Sequence, residues 1–123
     1  MIGNVDENNR ALLRVDIRAR FRIEPTSIDA WVDTAFDGHF VFSSKLITDL
    51  ELETLVETEA ILADGTTVTL ETFVAYLDWF GDLLPVQVVA NEGQFPLLGT
   101  ALLNKCRLTV DYVSKSVELV SVG

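Results

Sequence analysis

Cysteine and histidine are nearly absent from this chain: Cys106 and His39 are the only ones. A lone cysteine permits no internal disulfide and points to a reducing compartment. One histidine and one cysteine, far apart in sequence, do not make a His/Cys zinc site. A Ser-His-Asp triad would rest on His39 alone, and a Cys-His pair would have to use Cys106, so nucleophilic chemistry is poorly supported. Positive charge is scarce as well: nine Lys and Arg stand against nineteen Asp and Glu, a formal net charge of −10. Such a surface repels nucleic acid and anionic membrane, and neither is expected as a partner. No apolar run approaches the roughly 20 residues of a membrane helix. The first ten residues lack the apolar centre of a signal peptide, so a cytoplasmic location is expected. Neither metal nor cofactor is expected, and carboxylate chemistry is what remains.

What the chain does hold is apolar residues, 49% of its 123, spread along its whole length. That is enough for one domain, residues 1–123, with a single core. Residues 1–10 read as a short arm, with strand character at Ile2 and Val5. Over residues 13–23 the alternation is strict: Val15, Ile17, Ala19, Phe21 and Ile23 on one face, Asp16, Arg18, Arg20 and Arg22 on the other. Period two predicts a half-buried strand whose arginines face solvent. A second strand spans 28–32, and a third covers Phe40, Val41 and Phe42. Ser43 or Ser44 caps a short helix over 45–50. Two β-prone runs, 57–62 and 66–77, flank Ala63-Asp64-Gly65, a strong hairpin signal. Further hairpins are expected around Gly81-Asp82 and Ser114-Lys115, with a strand over 95–99 and a short helix over 100–105 between them. Short strands with turns every eight to twelve residues predict an all-β barrel or sandwich. Glu51, Glu53, Glu57 and Glu59 alternate with other residues and read as a solvated strand face rather than a metal site. Trp31, Trp79 and Phe80 read as core or hairpin packing, since no basic residues interleave with them.

The chemistry is concentrated in Ile28-Asp29-Ala30-Trp31-Val32-Asp33-Thr34-Ala35-Phe36-Asp37-Gly38. An apolar strand runs into Asp33, and small residues follow, so that backbone N–H groups and the Thr34 hydroxyl can turn back toward the acid. Asp37 either binds a substrate backbone or caps the turn. His39, a lone loop histidine, reads as a bystander. Sixty-six residues beyond Asp33 comes a second apolar strand ending in glycine, Leu97-Leu98-Gly99.

This order of motifs resembles the retropepsin-like (retroviral-type) aspartic proteases, especially their small prokaryotic single-domain group. Met1-Ile2-Gly3, Val32-Asp33-Thr34-Ala35-Phe36-Asp37-Gly38, Leu62-Ala63-Asp64-Gly65 and Pro96-Leu97-Leu98-Gly99 carry it, in the family's order and spacing, over nearly the whole chain. The resemblance implies an all-β acid-protease fold, a closed β-barrel with one or two short helices and one lobe per chain. It implies an aspartic-type endopeptidase in which Asp33, Thr34 and Ala35 form the catalytic tripeptide. Asp37, Gly38, Ala63, Asp64 and Gly65 would then contact substrate, the last three as the tip of a flap. Leu98 and Gly99 would support the active-site loop from beneath. Only one such tripeptide exists here, so the resemblance implies a homodimer acting on polypeptide, in an apolar cleft lined by residues such as Ile61, Leu62 and Phe73. The alternative is the same fold kept as a non-catalytic dimerisation or protein-binding module. Two residues depart from the pattern: Ala35 replaces the usual glycine, though it keeps the N–H that reaches the aspartate, and Thr100 stands where retroviral members carry arginine.

Overall fold

The structure, a computed structural model, describes residues 1–21 and 23–123. Ten strands form one sheet: β1 (Ile2–Val5), β2 (Ala11–Arg18), β3 (Thr26–Val32), β4 (Phe40–Ser43), β5 (Glu53–Ile61), β6 (Thr67–Trp79), β7 (Asp82–Asn91), β8 (Leu97–Leu98), β9 (Cys106–Asp111) and β10 (Ser116–Ser121). A single α-helix, α1 (Ser44–Leu50), and a 3-10 turn, Thr100–Leu102, complete the chain. The sheet order is β5-β6-β7-β4-β8-β3-β2-β1-β10-β9. Three further pairs, Asp16↔Asp78, Ile17↔Leu77 and Arg18↔Tyr76, join β2 to β6. Six strands, from β6 round to β2, are thereby linked in a closed circuit, which leaves them without free edges.

Alternation builds the inside of that circuit. Leu13, Val15 and Ile17 of β2, Ala30 and Val32 of β3, Ala75 and Leu77 of β6, and Val86 and Val88 of β7 all belong to one buried cluster. Phe40 and Phe42 of β4 fill its centre, their rings 5.1 Å apart. On the outer face of β2 the arginines meet acids: Arg14 reaches Asp29 across the β2–β3 pair, and Arg18 reaches Asp78 across β2–β6. Arg22, assigned to the same face in the sequence, lies outside the described residues.

Several elements differ from the sequence expectation, some for local reasons and some because of distant partners. The arm at residues 2–5 is a strand between two partners, β2 and β10. The alternating run stops at Arg18 rather than at Ile23. Past that point Phe21 leaves the sheet to pack on Tyr76, with ring centroids 4.3 Å apart, and the Arg18 guanidinium donates to the Ile23 carbonyl, closing the bend. The β6–β7 turn falls on Phe80-Gly81, both at positive φ (48° and 87°), as a two-residue turn between right-twisting strands requires. The helix expected over 100–105 is a single turn, because Lys105 adopts a left-handed conformation and the chain enters β9 at Cys106. Helix α1 starts where expected: Ser43 Oγ accepts from the Leu46 N–H at 3.1 Å. Among the described residues no helix is long and apolar enough to cross a membrane.

Beyond the circuit β5 and β6 run on as a two-stranded ribbon. Pairs from Glu57↔Glu71 to Ile61↔Thr67 have no third strand beside them, since β7 first pairs with β6 at Thr72.

Candidate active site

Strand β3 sets up the site by its own periodicity. Ala30 and Val32 point into the core, so Trp31 and Asp33 share the other face. Strand β3 is held on one side by β2 and on the other by a short parallel pairing with β8, Trp31↔Leu97 and Val32↔Leu98. The backbone ladder extends one step further, where the Asp33 N–H donates to the Leu98 carbonyl at 2.9 Å.

From Asp33 the chain turns sharply. The Phe36 N–H donates to the Asp33 carbonyl at 3.2 Å, and the Ala35 N–H donates to Asp33 Oδ1 at 2.9 Å. The carboxylate is thus oriented by its own loop. Ala35 does this at a negative φ, so its methyl introduces no backbone strain. Thr34 is exposed and its hydroxyl has no partner among the described residues. Asp37 is exposed too, and no hydrogen bond to its carboxylate is found among the described residues, so it does not cap the turn.

The loop lies on the segment that follows β8. The Gly99 N–H donates to the His39 carbonyl at 2.8 Å, the Thr100 N–H to the Phe36 carbonyl at 2.8 Å, and the Ala101 N–H to the Gly38 carbonyl at 3.3 Å. Leu98 is fully buried between β3 and β4. Gly99 has ordinary extended dihedrals (φ −98°, ψ 175°), so it is glycine for space, not for conformation. A Cβ there would run into the Gly38 carbonyl and stand 2.8 Å from the Phe36 carbonyl oxygen. Thr100 also contributes a bond: its hydroxyl donates to the Phe36 carbonyl at 3.2 Å, a direct tie between the two segments.

Two neighbours of this loop, Arg10 and Phe95, were not singled out in the sequence. Trp31, read there as core or hairpin packing, is 38% exposed and meets Phe95 edge to face, with centroids 6.3 Å apart. Arg10 lies over both rings, 5.8 Å from Trp31 and 4.3 Å from Phe95. Its Nε donates to Asp6 Oδ2 at 2.8 Å, and the Arg10 backbone and side-chain N–H groups hold the Asp6 carboxyl below its usual range. The alternation of β3 alone puts Trp31 beside Asp33; Arg10 and Phe95 carry no local signal. His39 is no bystander either. Its Nδ1 accepts the Gln87 N–H of β7 at 2.9 Å, and burial pushes its pKa below the usual value.

Ala63, Asp64 and Gly65 sit at the exposed tip of the ribbon, in a turn whose bonds run within it. The Leu62 N–H donates to the Thr66 carbonyl, the Gly65 N–H to the Leu62 carbonyl, and Asp64 Oδ1 accepts from the Thr66 N–H and hydroxyl. Those Thr66 bonds hold the Asp64 carboxyl below its usual range. Ile61 and Leu62 at the tip are exposed, whereas Phe73 lies at the ribbon's root, facing a shallow cavity of about 580 Å³ shared with Ile47 and Leu52. Six residues of strand, roughly 20 Å, separate Phe73 from Thr67 at the tip, so within one copy the three apolar residues do not meet in one pocket.

The fold is also found among solved structures. A retropepsin-like aspartic protease from Rickettsia conorii superposes with a TM-score of 0.62 at 14% identity, covering 97% of this chain and 88% of that one. The retroviral protease-like domain of Ddi1 from Leishmania major gives a TM-score of 0.49 at 10% identity, covering 90% of each chain. No family model and no curated protein matches the sequence. The chain has the retropepsin-like fold, all-β with one short helix.

Proposed function

We propose that this chain is one half of an aspartic endopeptidase, a homodimer in which Asp33 of each copy faces the other across a twofold axis. The observation that carries this reading is the fixed Asp33 carboxylate, bonded by the Ala35 N–H at the end of a core strand and backed by the 98–101 segment. Two carboxylates about 3 Å apart cannot both ionise, so the pair shares one proton. The ionised member takes a proton from water as the oxygen attacks the peptide carbonyl, and the protonated member delivers its proton to the carbonyl oxygen. Collapse of the resulting diol returns a proton to the leaving nitrogen. One chain holds one such acid, so a C2 pair supplies the second.

In this scheme the ribbon closes over an extended peptide, with Ala63, Asp64 and Gly65 at its tip. Asp37 and Gly38 contact the peptide backbone, as in strand addition. Thr34 Oγ1, unpartnered among the described residues, ties the two loops together across the axis.

The test is cleavage of a mixed peptide library by the wild type and by Asp33→Asn from about pH 3 to pH 7, spanning carboxylate titration. Light scattering at micromolar concentration accompanies it. Cleavage lost in Asp33→Asn establishes the dyad, and an obligate monomer overturns it. A folded dimer that cleaves nothing at any pH establishes instead the non-catalytic dimerisation or protein-binding module, the reading that Ala35 in the tripeptide favours.

A further inference from the structure

His39 is the only histidine in the chain, and it stands where the Asp33 loop becomes β4. Its carbonyl accepts the Gly99 N–H, and the next residue, Phe40, pairs with Val88 of β7 and Leu98 of β8. Its ring adds a contact of a different kind. Nδ1 accepts a backbone N–H, that of Gln87, at 2.9 Å. A neutral imidazole makes this bond with one nitrogen unprotonated; an imidazolium carries hydrogen on both nitrogens and has no acceptor to offer. Protonation therefore sets two N–H donors against each other at the junction of the loop and β7.

Among the described residues no charged side chain pairs with the ring to compensate for that loss. Residues 86–89 of β7, 40–43 of β4, 73–75 of β6 opposite Gln87 and 97–103 of β8 and the turn after it carry no titratable side chain. The acids of its own loop are Asp33 and Asp37, and among the described residues no carboxylate lies within ion-pair distance of the imidazole. Burial is the sole cause of its shift, and it disfavours the charged ring.

We propose that His39 is a positioning residue for the Asp33 loop, docking the loop's exit onto β7 only while its imidazole is neutral. The sign follows from linkage. The docked state lowers the histidine's proton affinity, so docking is fully supported above the usual histidine value of about 6.5 and is lost as pH falls through the lower, docked pKa. Below that point the neutral ring declines about tenfold per pH unit. For the site this sets an acid limit that the dyad alone would not impose, so the chain is built to work nearer neutral pH. That consequence for activity rests on the endopeptidase reading; the docking itself does not.

The deciding variant is His39→Asn. Asparagine places Oδ1 about where the imidazole places Nδ1, and it accepts the same N–H without titrating. The first readout is the Gln87 amide resonance, followed by NMR from about pH 7.5 to pH 4.5. In the wild type it should titrate together with the His39 ring, with a midpoint below 6.5, and in His39→Asn it should be flat. A wild-type Gln87 amide that does not move while His39 protonates overturns the proposal. The second readout is the pH profile of peptide cleavage. Its acid limb should extend by about one pH unit in His39→Asn, whereas His39→Leu, with no acceptor, should lose activity severalfold at every pH. An acid limb identical in wild type and His39→Asn removes the functional half of the proposal. If neither protein cleaves, the endopeptidase reading fails and the Gln87 titration still decides the latch.

Discussion

Gly99→Ala tests the packing of the loop against the segment beneath it. Space is what the glycine supplies: a methyl carbon on it meets the Gly38 carbonyl well inside contact distance and the Phe36 carbonyl oxygen at 2.8 Å. Neither oxygen is free to retreat. The Phe36 carbonyl accepts from the Thr100 N–H and hydroxyl, and the Gly38 carbonyl accepts from the Ala101 N–H. Overpacking of this kind costs about 1–3 kcal/mol, and one strained or lost hydrogen bond adds about 1 kcal/mol. A total of about 2–4 kcal/mol follows. Unfolding entropy of about 2.1 cal/mol/K per residue over 123 residues is roughly 0.26 kcal/mol/K, so the Tm should fall by about 8–15 °C. Thermal denaturation followed by circular dichroism reads this directly. The control is Gly65→Ala, where nothing lies within 4 Å of the added carbon and only the positive φ of 87° is penalised. That change should cost about 1 kcal/mol, a fall of about 4 °C. A Gly99→Ala protein that melts within about 2 °C of wild type, or no lower than Gly65→Ala, refutes the clamped-loop argument.

Three other outcomes are expected. Asp33→Asn keeps an Oδ1 acceptor for the Ala35 N–H, so its Tm should stay within about 2 °C while cleavage falls by about a thousandfold or more; a matching loss of stability would assign Asp33 to the fold. Ser43→Ala removes the cap bond to Leu46 from a helix with no acid in its first turn and no base in its last, and should lower stability by about 1 kcal/mol in urea titrations. Ile61→Ser alters a side chain that is 80% exposed, so stability should not change. If the ribbon tip covers substrate, KM should rise severalfold with kcat nearly constant, the pattern of lost uniform binding; unchanged KM would remove Ile61 from the binding surface.

Local rules carried much of the fold. The β2 alternation as far as Arg18, the apolar strand β3, the Ser43 cap, and the Asp64-Gly65 and Ser114-Lys115 turns are set by residues that are neighbours in sequence, and each stands where the pattern puts it. Two of the failures share one cause, partners far along the chain. Phe21 leaves the β2 alternation for Tyr76, and β1 becomes an inner strand only because β10 covers its second side. At the site the same division holds. Asp33, Ala35, Leu98 and Gly99 could be picked out because a strand that ends on an acid, and a second that ends on glycine, are local signals. His39 with Gln87, 48 residues apart, and Arg10 over Phe95 are tertiary juxtapositions that no periodicity announces. Thr100, marked in the sequence only as a departure from the retroviral pattern, ties its hydroxyl to the Phe36 carbonyl of the loop, a contact that pattern does not announce.

The loop that carries Asp33 is finished on one side and open on the other. Behind it four backbone ties are made, the Asp33 N–H on Leu98, the Gly99 N–H on His39, the Thr100 N–H on Phe36 and the Ala101 N–H on Gly38, and the supporting side chains Val32 and Leu98 are buried. In front of it stand Thr34, whose hydroxyl has no partner among the described residues, exposed Asp37, and a carboxylate held by one backbone N–H. A rigid back is what pre-organised electrostatics requires, since groups already held in place need not reorganise as charge develops. The open front lacks the second acid that the chemistry needs, and on the endopeptidase reading a second copy brings it. Charge opposes that meeting, for each copy carries a formal −10. Because surface charges are screened beyond about 8 Å at physiological salt, the contact must be won at short range, by the two loops themselves. An acidic surface with a dimer contact of that kind assembles more readily as salt rises, the reverse of an assembly held by ion pairs.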